Sequence, residues 1–141
     1  SGKMSWQRNG IPIVQANNAQ EFQRIIPDGK GGAFIAWEDS RSNINKHLYV
    51  QRVNKEGKFL WQTNGIKASD RGGLFISINP DSWNGLLLGW STVYDVYVQR
   101  LDSNGNRMWG DSGVQVTNRP GSVGSNDVEI ISDGAGGAIV A

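Results

Sequence analysis

Few side chains in this sequence stand where they could do chemistry together. Trp37-Glu38-Asp39-Ser40-Arg41 sets a carboxylate two residues from a guanidinium, a pair able to grip a polar ligand through charge-assisted hydrogen bonds. The favoured reading is plainer: the two pair with each other, or cap backbone groups, as part of a turn. Asn43 follows in the same polar stretch and joins Asp39 and Arg41 as a candidate ligand contact. Trp83, between Ser82 and Asn84, occupies what reads as a turn tip. An indole there can stack on a sugar ring or anchor a protein partner, or it can fold back over a neighbouring element. Asp102-Ser103-Asn104-Gly105-Asn106 alternates oxygen-bearing residues as calcium loops do, but its glycine is misplaced and no Glu follows at the twelfth position. A turn accounts for every residue of it. With one histidine, His47, and no cysteine, the chain offers no His-cluster or thiolate metal site and no Cys nucleophile. No short-range pair of carboxylates suits acid–base hydrolysis. Gly31-Gly32 and Gly136-Gly137 precede no helix, so they cradle no phosphate. The expectation is no catalytic residue, no metal and no cofactor.

Composition narrows the partners. Fourteen Lys and Arg against thirteen Asp and Glu leave a net charge of +1, which argues against nucleic acid and against an anionic membrane surface. No apolar run approaches a membrane span, and Ser1 to Gly10 is too polar for a signal peptide. The 141 residues suit one domain, and 38% apolar content with six Trp suffices for a core. Nineteen glycines point to many tight turns.

The elements that must position these residues are set by an internal repeat. Gly2-Lys3-Met4-Ser5-Trp6 with Gly10-Ile11 recurs as Gly57-Lys58-Phe59-Leu60-Trp61 with Gly65-Ile66, then as Gly105-Asn106-Arg107-Met108-Trp109 with Gly113-Val114. The intervals are 55 and 48 residues. A second block runs from Ile25 through Pro27-Asp28-Gly29 to Trp37, again from Ile78 through Pro80-Asp81-Ser82 to Trp90, and again from Ile131 through Asp133-Gly134 to Ala141. A third, Tyr49-Val50-Gln51-Arg52-Val53, returns as Tyr97-Val98-Gln99-Arg100-Leu101.

Each unit reads as four short strands. First strands are predicted at Phe22 to Ile26, Leu74 to Ile78 and Val128 to Ile131. Second strands, apolar almost without interruption and so buried on both faces, are predicted at Ala33 to Trp37, Leu86 to Trp90 and Ala138 to Ala141. Third strands are predicted at Leu48 to Val53 and Val96 to Leu101, half-exposed by their alternation. Fourth strands carry the repeated Trp, over about Met4 to Trp6, Phe59 to Trp61 and Arg107 to Trp109, continuing to Ile13, Lys67 and Val116. Pro-Asp pairs close the first hairpin of each unit, and Asn54 to Gly57 and Asp102 to Gly105 close the second. No stretch has a useful helical period. The fold class is all-β: propeller-type four-stranded units, two complete and partial at both ends. Their bounds are a fourth strand within 1–16, full units over 17–69 and 70–117, and two strands of a further unit within 118–141.

The pattern Asp-Gly-x-Gly-Gly, apolar run, Trp-x-Asp-x-Arg, Tyr-x-Gln-Arg-[Leu/Val], Gly-x3-Trp-x3-Gly-[Val/Ile] resembles the β-propeller repeats of bacterial secreted and cell-surface proteins. The first unit fits it with Trp37, Asp39 and Arg41. The second departs, with Ser91-Thr92-Val93 after Trp90. The second hairpin is also similar in location to the Asp-box of sialidase-like propellers, although Gly105 lies four residues before Trp109 and the Thr is missing; that motif is a structural turn and implies no glycosidase. The resemblance implies blades with the first strand nearest a central axis, and an extracellular or cell-surface setting.

Repetition assigns Trp6, Trp37, Trp61, Trp90 and Trp109 to packing between blades, with Trp37, Trp61, Trp90 and Trp109 expected to be largely buried. The link from Trp37 to Tyr49 spans 12 positions against 7 from Trp90 to Tyr97, and variable loops of this kind carry ligand sites in repeat folds. A glycan or protein ligand is therefore expected at the 38–46 loop or at Trp83, on opposite rims. The expected role is a non-catalytic scaffold or binding module. Alternatives are a piece of a propeller enzyme, glycoside hydrolase or lyase-like, with its catalytic residues elsewhere, or a structural spacer. Ala141 aligns with Ala36, so the parent sequence is expected to continue with Trp. Expected partners are the remaining blades of a longer propeller, or other copies of the chain.

Overall fold

A computed structural model of the chain describes residues 6–117 and 128–141. Over these residues the fold is all-β, ten strands and no helix, hence no helix long and apolar enough to cross a membrane. Strands β1 (Gln20–Pro27), β2 (Ala33–Asp39), β3 (His47–Val53) and β4 (Ile66–Ser69) form one sheet in that order. Strands β5 (Leu74–Pro80), β6 (Leu86–Ser91), β7 (Val96–Leu101) and β8 (Val114–Gln115) form a second of identical order, and β9 (Ile130–Ser132) pairs with β10 (Ala138–Val140). Every pairing is antiparallel. The expected start of the first Trp-bearing segment at Met4, and the boundary between units at 117 and 118, fall on or beside positions outside the described residues.

Short polar side chains close the hairpins, because an Asx oxygen can hold the backbone of a tight turn. Asp28 Oδ1 accepts from the N–H groups of Lys30 and Gly32, both at 2.8 Å. Asp81 does the same for Trp83 and Gly85, and Asp133 for Ala135 and Gly137. The second hairpins use the same cap through Asn54 and Asp102.

Two strand expectations need correction. The Trp-bearing segments are not ladder strands: Phe59 and Arg107 make single bridges, to Val53 and Leu101, and the fourth strand begins only after the glycine. Consecutive left-handed residues, Asn64 at φ 66° and Gly65 at φ 81°, interrupt any continuous strand. The third strands are not half-exposed either. Val50, Gln51, Arg52 and Val53 are all buried on β3, as are Gln99 and Arg100 on β7, since the polar members of the alternation face a second layer of protein.

Successive sheets stack through apolar layers. Phe34, Ala36, Leu48 and Val50 of the first sheet meet Ile76, Ile78, Leu86 and Leu88 of the second. Leu87 and Val98 meet Ile130, with Ala138 and Val140 beside them. On the other side of the first sheet, Ala33, Ile35 and Trp37 pack against Trp6, Ile11, Ile13 and Val14. The first strands are neighbours, β1 beside β5 and β5 beside β9.

Candidate functional site

The longer loop after β2 is anchored by the Trp-x-Asp-x-Arg signature. Asp39 is fully buried. Its Oδ1 accepts from Arg41 Nε at 2.8 Å and from the Arg41 backbone N–H, and its Oδ2 accepts from Arg41 at 2.7 Å and from the Trp37 indole N–H at 2.7 Å. Burial works to raise the Asp39 carboxyl, but the bonds from Arg41 and Trp37 outweigh it and hold its pKa below the usual value. The Arg41 guanidinium also donates to Asn64 O at 2.8 Å and lies 3.8 Å from the centroid of Tyr49, whose ring stacks on Trp37. Both Asp39 oxygens, the Trp37 N–H and the Arg41 Nε and Nη2 thus face protein partners.

Asn43 sits apart from that network. It has φ 61° and accepts from Asn18 Nδ2 at 2.5 Å, and with Asn18, Ser40, Ile44, Asn45 and Lys46 it lines a shallow cleft of about 280 Å³. Ile44 is 86% exposed beside it. Lys46 bridges Glu38 at 2.9 Å and Glu21 at 3.1 Å, and these carboxylates, Glu38 first, raise its pKa.

The second unit solves the same problem differently. Thr92 occupies the Asp39 position, and its hydroxyl caps a tight turn through the N–H groups of Tyr94 and Asp95. Arg71, from the link before β5, lies 5.0 Å from the centroid of Tyr97, as Arg41 lies over Tyr49. Trp90 is fully buried and stacked on Tyr97, yet its indole N–H has no acceptor among the described residues.

Trp83 is 57% exposed at the tip of the β5–β6 hairpin. One face covers the Arg100 guanidinium, 4.6 Å from the ring, and its edge reaches Gly136 in the β9–β10 hairpin. It both folds onto the neighbouring sheet and keeps an open face. In a meander the first and second links lie at opposite ends of the strands, so Trp83 and the 40–46 stretch occupy opposite ends.

The repeated tryptophans act between sheets. Trp6 donates its N–H to Lys55 O at 3.0 Å and stacks on Gly57; Trp61 donates to Ser103 O at 3.2 Å and stacks on Gly105. Trp37, Trp61 and Trp90 are buried. Trp109 is only half-buried, against expectation, where it packs beside Leu87, Val98 and Ile130.

Two features escaped the sequence reading. Arg52 and Arg100, from the Gln-Arg pairs, reach back to the hairpin aspartates: Arg52 to Asp28 at 2.9 Å and Arg100 to Asp81 at 2.8 Å, all four side chains at 10% exposure or less. Each arginine also donates to the next sheet's hairpin, at Asn84 O and at Gly136 O. Recurrence of the Pro-Asp and Gln-Arg pairs in both units was the available signal. The second feature is a cleft of about 220 Å³ between β1, β5 and the approach to β9, floored by Ile26, Ile76 and Ile78. Its polar contacts come from aligned positions of three units: Arg24, Ser77 and Glu129, with Ser77 Oγ donating to Glu129 Oε2 at 3.1 Å.

His47 Nδ1 donates to Asp70 O at 3.0 Å, and Asp102 is occupied as a turn cap. Among the described residues no group of three or more His, Cys, Asp or Glu could hold a metal ion. No protein-family model, no curated protein and no solved structure matches this chain.

Proposed function

We propose that the chain is a non-catalytic scaffold or binding module of the propeller type, its sheets standing as blades around an axis nearest the first strands. In this reading it belongs to a secreted or surface protein of a bacterium and engages a glycan or a protein segment. The adjacency of β1, β5 and β9 and the apolar layers between sheets support the blade arrangement. One observation carries the functional part. The polar residues that repeat, Asp28 and Asp81, Arg52 and Arg100, Gln51 and Gln99, are consumed in turns and in bonds within or between sheets. The unrepeated polar and aromatic groups, Asn43 to Lys46 and Trp83, face solvent. Conserved geometry beneath and unlike residues above is how repeat scaffolds present ligands.

An enzyme reading would have to start from Glu129, the one carboxylate that lines the Arg24–Ser77–Glu129 cleft among the described residues. Glycoside hydrolysis needs two. Further blades, or further copies of the chain, are the proposed structural partners.

Labelled protein on glycan and peptide arrays tests the reading. Binding should appear and should weaken at least tenfold in an Asn43→Ala, Trp83→Ala double variant. Full affinity in that variant would remove both sites.

A further inference from the structure

Arg24, Ser77 and Glu129 occupy one level of three adjoining repeats. Arg24 lies four residues before Asp28, Ser77 four before Asp81 and Glu129 four before Asp133. Each stands opposite a small residue of its hairpin partner. Arg24 pairs with Ala36 and Ser77 with Gly89, and Glu129 exchanges both backbone bonds with Ala141. One backbone position thus carries a cation, a hydroxyl and a carboxylate in turn.

The cleft they line, about 220 Å³, is built from both sides by the chain itself. Strand β1 lies beside β5 and β5 beside β9, each held by its own hairpin partner. Ile76, Ile78 and Val128 are buried beneath it, and Ile76 and Ile78 belong to the core layer on which Ile26 packs. The floor is therefore apolar and fixed. The charges above it are free to act. Arg24 and Glu129 are exposed, and among the described residues neither forms an ion pair, with the other or with any third group. Arg24 spends Nη1 on the neighbouring Gln23 carbonyl. Ser77 Oγ donates to Glu129 Oε2 at 3.1 Å, which draws that carboxylate over β5.

We propose that this cleft binds a small zwitterion, with its carboxylate on Arg24, its ammonium on Glu129 and an apolar group over the isoleucines. A ligand with one charge satisfies one side and sets a like charge against the other, which is costly. A ligand with both is matched at each end by a charge-assisted hydrogen bond. The volume lies below the roughly 300–1,000 Å³ of pockets for drug-sized molecules, so the ligand has the size of an amino acid or a dipeptide. Strand β5 stands between the strands that carry the two charges. That spacing favours a dipeptide with free ends over an α-amino acid, whose charges flank one carbon. No residue of the 40–46 loop lines this cleft, nor does Trp83, so it is a third site and stands or falls apart from those two.

The test titrates the intact chain with glycyl-leucine while backbone amide shifts are followed by NMR. We expect saturable shifts at Ile76, Ser77, Ile78 and Glu129, with a Kd of about 1 mM for contacts this exposed. N-acetyl-glycyl-leucine lacks the ammonium and glycyl-leucine amide lacks the carboxylate. Each should bind about tenfold more weakly, the loss of one charge-assisted contact. Tighter binding of free leucine than of the dipeptide would keep the zwitterion and make an amino acid its source. Arg24→Gln and Glu129→Gln should each weaken the dipeptide by the same factor. In Glu129→Gln the dipeptide and its N-acetyl form should bind alike, an equality that a disturbed fold does not produce. Unchanged amide shifts in β3 and β7 verify that both variants fold. Equal binding of the free and blocked dipeptides to the unaltered chain overturns the proposal. So does binding of acetate or methylammonium as tight as that of the dipeptide, or a set of shifts that leaves β5 and Glu129 untouched.

Discussion

Arg52 and Asp28 show how little of a residue's role its type reveals. Their side chains are 6% and 2% exposed, and removing one leaves the other charged, dry and alone. Arg52→Ala is therefore expected to destabilise the chain by about 3–5 kcal/mol in urea unfolding. Lys55 and Glu56, at 71% and 52% exposed, form a surface pair, and Lys55→Ala should move stability by less than about 0.5 kcal/mol. The two stacked tryptophans differ in one bond. Trp37 gives its N–H to Asp39, whereas Trp90 has no acceptor among the described residues. Replacing either by Phe loses similar ring area, so Trp37→Phe should cost about 1–2 kcal/mol more than Trp90→Phe. Asp39 also sets a pH dependence. Its pKa lies below the usual 3.8 when folded, so the folded state binds fewer protons than the unfolded one near that value. The stabilisation is complete above the unfolded value and is lost as pH falls through the lowered one. Unfolding midpoints should thus hold steady down to about pH 5 and drop below about pH 4, with a shallower drop in Asp39→Asn.

At the scale of elements, the glycine after each Trp-bearing segment explains why the fourth strand starts late. Gly65 turns at φ 81° and Gly113 at φ 73°, and a methyl group on either would run into the indole of Trp37 or Trp90. Gly10 holds the matching position at φ 78° with nothing within 4 Å. Gly10→Ala should therefore show only the backbone strain of a left-handed residue, about 1–2 kcal/mol. Gly65→Ala should add about 1–3 kcal/mol for overpacking against Trp37. Thermal melts of the two variants separate the effects. The hairpins themselves were legible, because Pro-Asp and Asn or Asp followed by glycine have a mechanism for turning a chain. The burial of the third strands was not, because alternation of Gln51 and Arg52 with Val50 and Val53 looks the same whether the polar side meets water or a second sheet.

The whole molecule is a stack of similar sheets whose interior strands differ from its margins. Strands β2 and β6 are buried along their full lengths, while Ile25 of β1, Ile131 of β9 and Ile139 of β10 are 67%, 51% and 55% exposed. Amide exchange should be slowest in β2 and β6 and fastest in β10, since opening an interior strand breaks two ladders and two apolar layers. Equal rates across the three would deny the layered order. The sequence by itself determined the all-β class, the repeat, the hairpin positions and the buried second strands of the two four-stranded sheets, because turn chemistry and apolar runs are local properties of the chain. The third such strand, β10, is not buried, against expectation, with Ile139 55% exposed. It also offered both readings of Asp39 and Arg41, ligand grip or mutual pair. Only the tertiary structure decided that both Asp39 oxygens and the Arg41 Nε and Nη2 are taken up by Trp37, Asn64 and each other, with the guanidinium against Tyr49. It likewise brought Arg52 to Asp28 and to Asn84, Arg71 to Tyr97, and Arg24 near Ser77 and Glu129. Those partners lie 24 to 105 residues apart in the chain, and a contact at such a distance depends on how one sheet is laid upon the next, which no local pattern specifies.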